Sequence, residues 1–148
     1  MLDILTAMDI HSRKYPETEY YLQSKDPRFF DPYLDDLPKS TILITTLETN
    51  YDHDYARYSN APPPRKRWHD FKDLKWDRKI ITIEPIMDFD MKEFLRMLID
   101  INPMKIWIGY NSRPKAVQLP EPSLAKTEKL IRLLRENMIE VEEKDMRR

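Results

Sequence analysis

Apolar residues follow two rhythms along this chain. Four short runs alternate with a period of two and end in polar residues: Tyr20–Lys25, Thr41–Glu48, Ile80–Glu84 and Lys105–Asn111. A weaker fifth run covers Met138–Lys144, where Ile139 and Val141 alternate with Glu140 and Glu142. Such runs, bounded by Pro, Asn, Asp or Ser, read as β-strands. After each of the first four, the spacing changes to three and four. Phe29, Phe30, Tyr33, Leu34 and Leu37 give one helical face, and Trp68, Phe71 and Leu74 another. Phe94, Leu95, Leu98 and Ile101 repeat the pattern, then Leu130, Ile131, Leu133 and Leu134. A further amphipathic helix, Leu2–Arg13, precedes the first strand.

Helix ends are marked as well. Asp26-Pro27 sets an N-cap before a proline at the first helical position, and Pro32 then shortens or kinks that helix. Asp90 and Glu93 make a capping box for Met91–Ile101, which Asn102-Pro103 ends, and Ser123 caps the last helix. Repeated strand–helix units predict an α/β chain on a parallel sheet, one domain over residues 1–148.

Successive strand side chains point to opposite faces, so each run divides into two sets. Leu43, Thr45 and Leu47, with Ile81, Ile83, Ile106, Ile108 and Tyr110, suit packing under helices. The opposite set turns polar toward the carboxyl ends: Gln23 and Lys25, Thr46 and Glu48, Thr82 and Glu84, Asn111. A doubly wound sheet, covered by helices on both faces, would need both sets apolar. The gradient instead fits the inside of a barrel with a site at its top. Five strands do not close the usual barrel. The expected fold is an open, partial β/α barrel of about five parallel strands with flanking helices.

Composition narrows this picture. A formal net charge of −1 offers no field for nucleic acid or an anionic membrane. No apolar run approaches the ~20 residues that span a bilayer. The lack of cysteine removes disulfides, thiolate nucleophiles and any iron–sulfur cluster ligated by this chain, so a cytoplasmic protein is expected. One glycine against twelve prolines excludes glycine-rich phosphate loops.

The strand ends carry the candidate chemistry. Thr46-Leu47-Glu48-Thr49-Asn50 and Thr82-Ile83-Glu84-Pro85-Ile86 each put a carboxylate at the last inward position, where burial is costly unless the charge is engaged. On neighbouring strands two such groups could share hydroxyls, an amine or a metal. The plain alternative is a structural network in which Glu48 and Glu84 pair with Lys25 or Arg57. Asp52-His53-Asp54 offers metal donors, but adjacent side chains diverge and no second histidine has ligand spacing. It reads as a solvated loop, and no metal site is expected. Arg65, Lys66, Arg67 and Trp68 could contact phosphates and stack on a base. In a near-neutral chain they read more simply as a solvated helix start. Met87, Met91, Met97 and Met104 read as core filler.

Several of these residues carry a resemblance. Tyr20–Pro27, Thr46–Asn50, Arg57-Tyr58, Ala61-Pro62-Pro63, Arg67 and Ile83-Glu84-Pro85-Ile86-Met87-Asp88 together resemble the carboxyl-terminal part of a radical SAM-like group. That group includes phage-protein-like relatives of spore photoproduct lyase. Asn102-Pro103, Leu119-Pro120-Glu121-Pro122 and Lys144-Asp145 continue the pattern, so it spans about Tyr15 to the end. The resemblance implies a partial β/α barrel in which S-adenosylmethionine lies across the strand tops, beside a 4Fe–4S cluster held by a three-cysteine loop. This sequence lacks that loop and the first strands, so the implied function is a ligand-binding half without radical chemistry of its own. Carried over by matching motif, Lys25, Glu48, Asn50 and Glu84 surround a ligand, and strand parity adds Asn111.

Three functions stay open at this point. One is the binding of a small polar ligand, a nucleoside such as S-adenosylmethionine. Another is an interaction protein whose edge strands dock on a second copy, or on a chain that supplies the missing strands. The third is nucleic-acid binding through Arg65–Trp68, against which the charge balance argues.

Overall fold

The computed structural model describes residues 1–147. Strands β1 (Tyr20–Gln23), β2 (Thr41–Thr46), β3 (Lys79–Ile83), β4 (Lys105–Ile108) and β5 (Glu140–Glu143) form one sheet in sequential order. Every neighbouring pair is parallel, with Tyr20 opposite Thr41, Thr46 opposite Thr82, Ile83 opposite Ile108 and Ile106 opposite Val141. The helices are α1 (Leu2–Lys14), α2 (Pro64–Asp73), α3 (Met91–Ile101) and α4 (Leu124–Glu136). Parallel neighbours joined by crossovers of one hand put their helices on one side of the sheet. The core agrees: Leu5, Phe71, Phe94 and Leu130, one from each helix, bury against Leu43, Leu47, Ile81, Ile83, Ile106 and Ile108. The fold is the open, partial β/α barrel that strand parity predicts.

The other face holds a much smaller apolar cluster of Ile42, Ile44 and Ile80, with Trp107 half-buried beside it. Full burial of one such side chain stabilises by roughly 1.5–3 kcal/mol. The helix-side cluster, several times more populous, therefore dominates the fold. The concave face is apolar only near the strand beginnings and becomes polar through Thr46, Glu48 and Thr82.

Two local details differ from expectation, each for a physical reason. The segment after β1 is a 3-10 helix, Pro27–Asp36, and Asp26 makes no side-chain cap bond. Pro32, inside the segment, lacks the N–H that an α-helical ladder needs, so the tighter, shorter-range pattern prevails. The capping box of α3 is only half made. Asp90 Oδ1 accepts the Glu93 N–H at 2.8 Å, but the Asp90 N–H is taken by Asn50 Oδ1 at 2.9 Å. Glu93 is left to pair with Arg65 instead, its Oε2 lying 2.7 Å from Nη2. Ser123 caps α4 as expected, accepting the Lys126 N–H.

The rotation of α2 about its axis is fixed at both ends. Pro64 fills its first position, and buried Lys79, at the start of β3, donates from Nζ to the Leu74 carbonyl at 2.7 Å, just past its last residue. A cation is well placed there, against the negative end of the helix dipole. No helix among the described residues is long and apolar enough to cross a membrane.

Candidate functional site

At the end of β2, Glu48 sits at the centre of a charged network. It is 3% exposed, and its Oε2 accepts from Arg67 Nη2 at 2.7 Å. Oε1 accepts from Lys25 Nζ at 2.7 Å and from the Tyr55 hydroxyl at 3.0 Å. Arg67 is fully buried, with 0% exposure; it also donates from Nη1 to the Thr46 carbonyl and lies over the Tyr55 ring at 4.9 Å. Its Nε is buried without a hydrogen-bond partner. Burial alone would raise the Glu48 pKa; the Arg67 charge and the Lys25 bond overcome that and hold it below the ordinary value. Burial, together with the Glu48 charge, raises the Tyr55 pKa and keeps that phenol a donor. A carboxylate offers about four lone-pair directions, of which three are taken.

Glu84 is different. It comes directly after β3, is half-buried, and has no side-chain hydrogen bond or ion pair among the described residues. Asn50 is buried and holds α3: besides accepting from Asp90, it donates to Glu93 Oε2 at 2.9 Å. Asn111 shapes the loop after β4 by donating to the Val117 carbonyl and accepting the Arg113 N–H at 2.9 Å. The alternative network pairs one acid and spares the other. Lys25 does reach Glu48, but Arg57 pairs with Asp54 and the second cation on Glu48 is Arg67.

In the basic run, Arg67 points inward, Arg65 pairs with Glu93, and Lys66 pairs with Asp70 at 2.6 Å. Lys72 and Arg96 flank the Trp68 ring. Of the four methionines, Met97 is fully buried, Met91 packs at the edge of the core, Met104 is exposed, and buried Met87 lines the site itself.

Two clefts open above these strand ends. The first, about 250 Å³, is lined by Lys25, Glu48, Tyr55, Tyr58, Met87 and Asn111, with Arg113 and Leu119 further round. The second, about 220 Å³, shares Tyr55, Tyr58 and Met87 with it. Backbone bonds fix the floor between them. The Met87 N–H donates to the Glu48 carbonyl, Ile86 N–H to Gly109, and Leu47 N–H to Thr82, all at 2.8–2.9 Å. Gly109, the chain's one glycine, is needed at its place: a Cβ there would lie 3.1 Å from the Lys144 carbonyl oxygen.

No family model matches this chain, and no curated protein or solved structure does either. The chemistry of the strand ends has to speak for itself. A larger depression of about 540 Å³ runs along α4 and β5, lined by the Arg132–Glu136 and Arg135–Glu143 pairs. It holds none of the strand-end groups. We place the candidate site at the Lys25 cleft.

Arg67 and Tyr55 belong to the site although strand parity does not point to them. For Arg67 a signal was present. Pro64, Arg67, Phe71 and Leu74 fall at helical spacing, so a lone cation sits on the inward stripe of α2 and needs a buried partner. Tyr55 lies in an aperiodic stretch, where no pattern says which way a side chain points.

Proposed function

We propose that this chain binds a small polar ligand bearing an anionic group, in the Lys25 cleft at the carboxyl ends of the strands. One observation carries the reading. The Lys25 side chain is 43% exposed and its ammonium rests on a buried Glu48–Arg67 pair, so a positive charge is held at a fixed point in the cleft. Beyond the strand ends is also where parallel sheets with one-sided helices take their ligands. Lys25 suits a carboxylate or phosphate. Glu84 is not in the lining itself but precedes Pro85, which is; unpaired among the described residues, it suits an amine or ribose hydroxyls of a ligand that reaches past the cleft. Tyr58, Met87 and Leu119 give apolar contact for a base.

S-adenosylmethionine, which the sequence resemblance implies, carries all of these groups. The cleft lies just under the ~300–1,000 Å³ usual for ligand sites, so a molecule of that length leaves part of itself outside. Glu48, already accepting three bonds, supports Lys25 and leaves ligand contacts to it and to Glu84.

The test is thermal melting with S-adenosylmethionine and, separately, with adenosine. A ligand at a hundred times its dissociation constant stabilises by about 2.7 kcal/mol, several degrees for a domain of this size. The expected result is a larger shift for S-adenosylmethionine, lost in Lys25→Met. Equal shifts in wild type and Lys25→Met, or none, reject the reading. A second reading is favoured by exposed Tyr21 on the uncharged β1 edge. On that reading a second copy docks on that edge, and light scattering separates dimer from monomer.

A further inference from the structure

The second cleft differs from the first in the sign of its lining. Tyr51, Tyr55, Tyr58 and His53 line it together with Asp54 and Asp88, and among the described residues no lysine or arginine does. The carboxylates are fixed from outside it: Arg57 Nε lies 3.2 Å from Asp54 and Lys126 Nζ 2.7 Å from Asp88. His53, Asp54 and Tyr55 are consecutive, and consecutive side chains ordinarily diverge. Here Asp54 has φ 60°, a left-handed turn that Asp and Asn tolerate, and all three reach one cavity. The Tyr51 and His53 rings are 5.0 Å apart at its side.

Tyrosine rings attract a cation through their quadrupole, and carboxylates add charge at longer range. A metal ion is not what this donor set suits, since no three His, Asp or Glu side chains converge among the described residues. We propose that the 220 Å³ cleft binds a small organic cation of the alkylated-ammonium class, between the tyrosine rings and Asp54. The cleft shares Tyr55, Tyr58 and Met87 with the Lys25 cleft, while Tyr51, His53, Asp54 and Asp88 are its own.

Choline and its uncharged isostere 3,3-dimethylbutan-1-ol are the probes, each titrated into the full chain by calorimetry or NMR. Choline is expected to bind at least about tenfold more tightly than the isostere. Tyr51 and Asp54 line only this cleft, so Tyr51→Leu and Asp54→Asn are expected to weaken choline severalfold. Tyr51→Phe, which keeps the ring, leaves it unchanged. Asn accepts the same backbone turn, so Asp54→Asn alters charge with little cost to the fold. Equal binding of the two probes, no choline binding, or indifference to both Tyr51→Leu and Asp54→Asn would overturn the proposal. The probe comparison on wild type decides the matter even where a variant fails to fold.

Discussion

Glu48 and Glu84 stand at matching points of adjacent strands, each two residues beyond the paired Thr46 and Thr82. One is buried under Arg67, Lys25 and Tyr55; the other is half-buried and unpaired among the described residues. The strands treat them alike, so the difference comes from the connection that leaves each strand. After β2 the chain runs through a 3-10 turn, Tyr55–Arg57, into α2, and returns over the strand end with a phenol and a guanidinium. After β3 it turns at once through Pro85 and supplies no cation. A strand-end carboxylate becomes an interior counter-ion or an open acceptor according to its connection. This contrast separates a rigid base from an acid left without a partner among the described residues.

The largest test of that division is Arg67→Met. Removing one partner of a buried ion pair costs about 3–5 kcal/mol, because the other charge stays buried. Denaturant melts should show that loss, and the double change Arg67→Met with Glu48→Leu should recover most of it. A single-variant loss under about 1 kcal/mol would erase the distinction between the two acids.

Acid comes next in size. The folded pKa of Glu48 is below the ordinary 4.5, so the folded state binds this proton less readily than the unfolded chain. Its contribution to stability is therefore present above pH 4.5 and lost as pH falls through the lower, folded value. The stability gap between wild type and Glu48→Gln is expected to narrow steadily over that acid range. A gap that stays constant with pH counts against the network.

Smallest is Glu84→Gln. With no partner to lose, its stability should stay within about 0.5 kcal/mol of wild type. Its binding of S-adenosylmethionine should weaken. A stability loss comparable to that of Arg67→Met would place Glu84 in the rigid base as well.

Much of the architecture was legible because it depends on periods. The alternation of Leu43 and Leu47 with Thr46 and Glu48 tells which face meets helices, and the order of elements tells that the sheet is parallel. Asn50 shows where that legibility stops. Its position past β2 marks a strand end, but its role as the missing half of the α3 capping box depends on a contact 40 residues on. Arg67 was legible only in part: its spacing with Pro64, Phe71 and Leu74 puts it on the inward stripe, but beside Arg65 and Lys66 it also reads as one of a basic run. The first cleft was legible in part, since Lys25, Glu48 and Asn111 line it; the second had no signal. They are built by aperiodic segments after β2, β3 and β4, whose shape depends on hydrogen bonds between segments, such as Thr49 Oγ1 to the Asp88 carbonyl.

The sequential order of the sheet has a consequence for how the molecule assembles. Each strand pairs only with the next one along the chain, so no pairing waits for a loop longer than a single strand–helix unit to close. Order can spread from one unit to its neighbour, in the manner of a stacked repeat. Backbone amides of β3, with partners on both sides, should be the slowest to exchange with solvent, and those of β1 and β5 the fastest. Those two outer strands each have a strand neighbour on one side only, and on β5 the Val141 carbonyl is taken by Arg135. Another parallel strand, from any source, could join there without disturbing the register of the five in place.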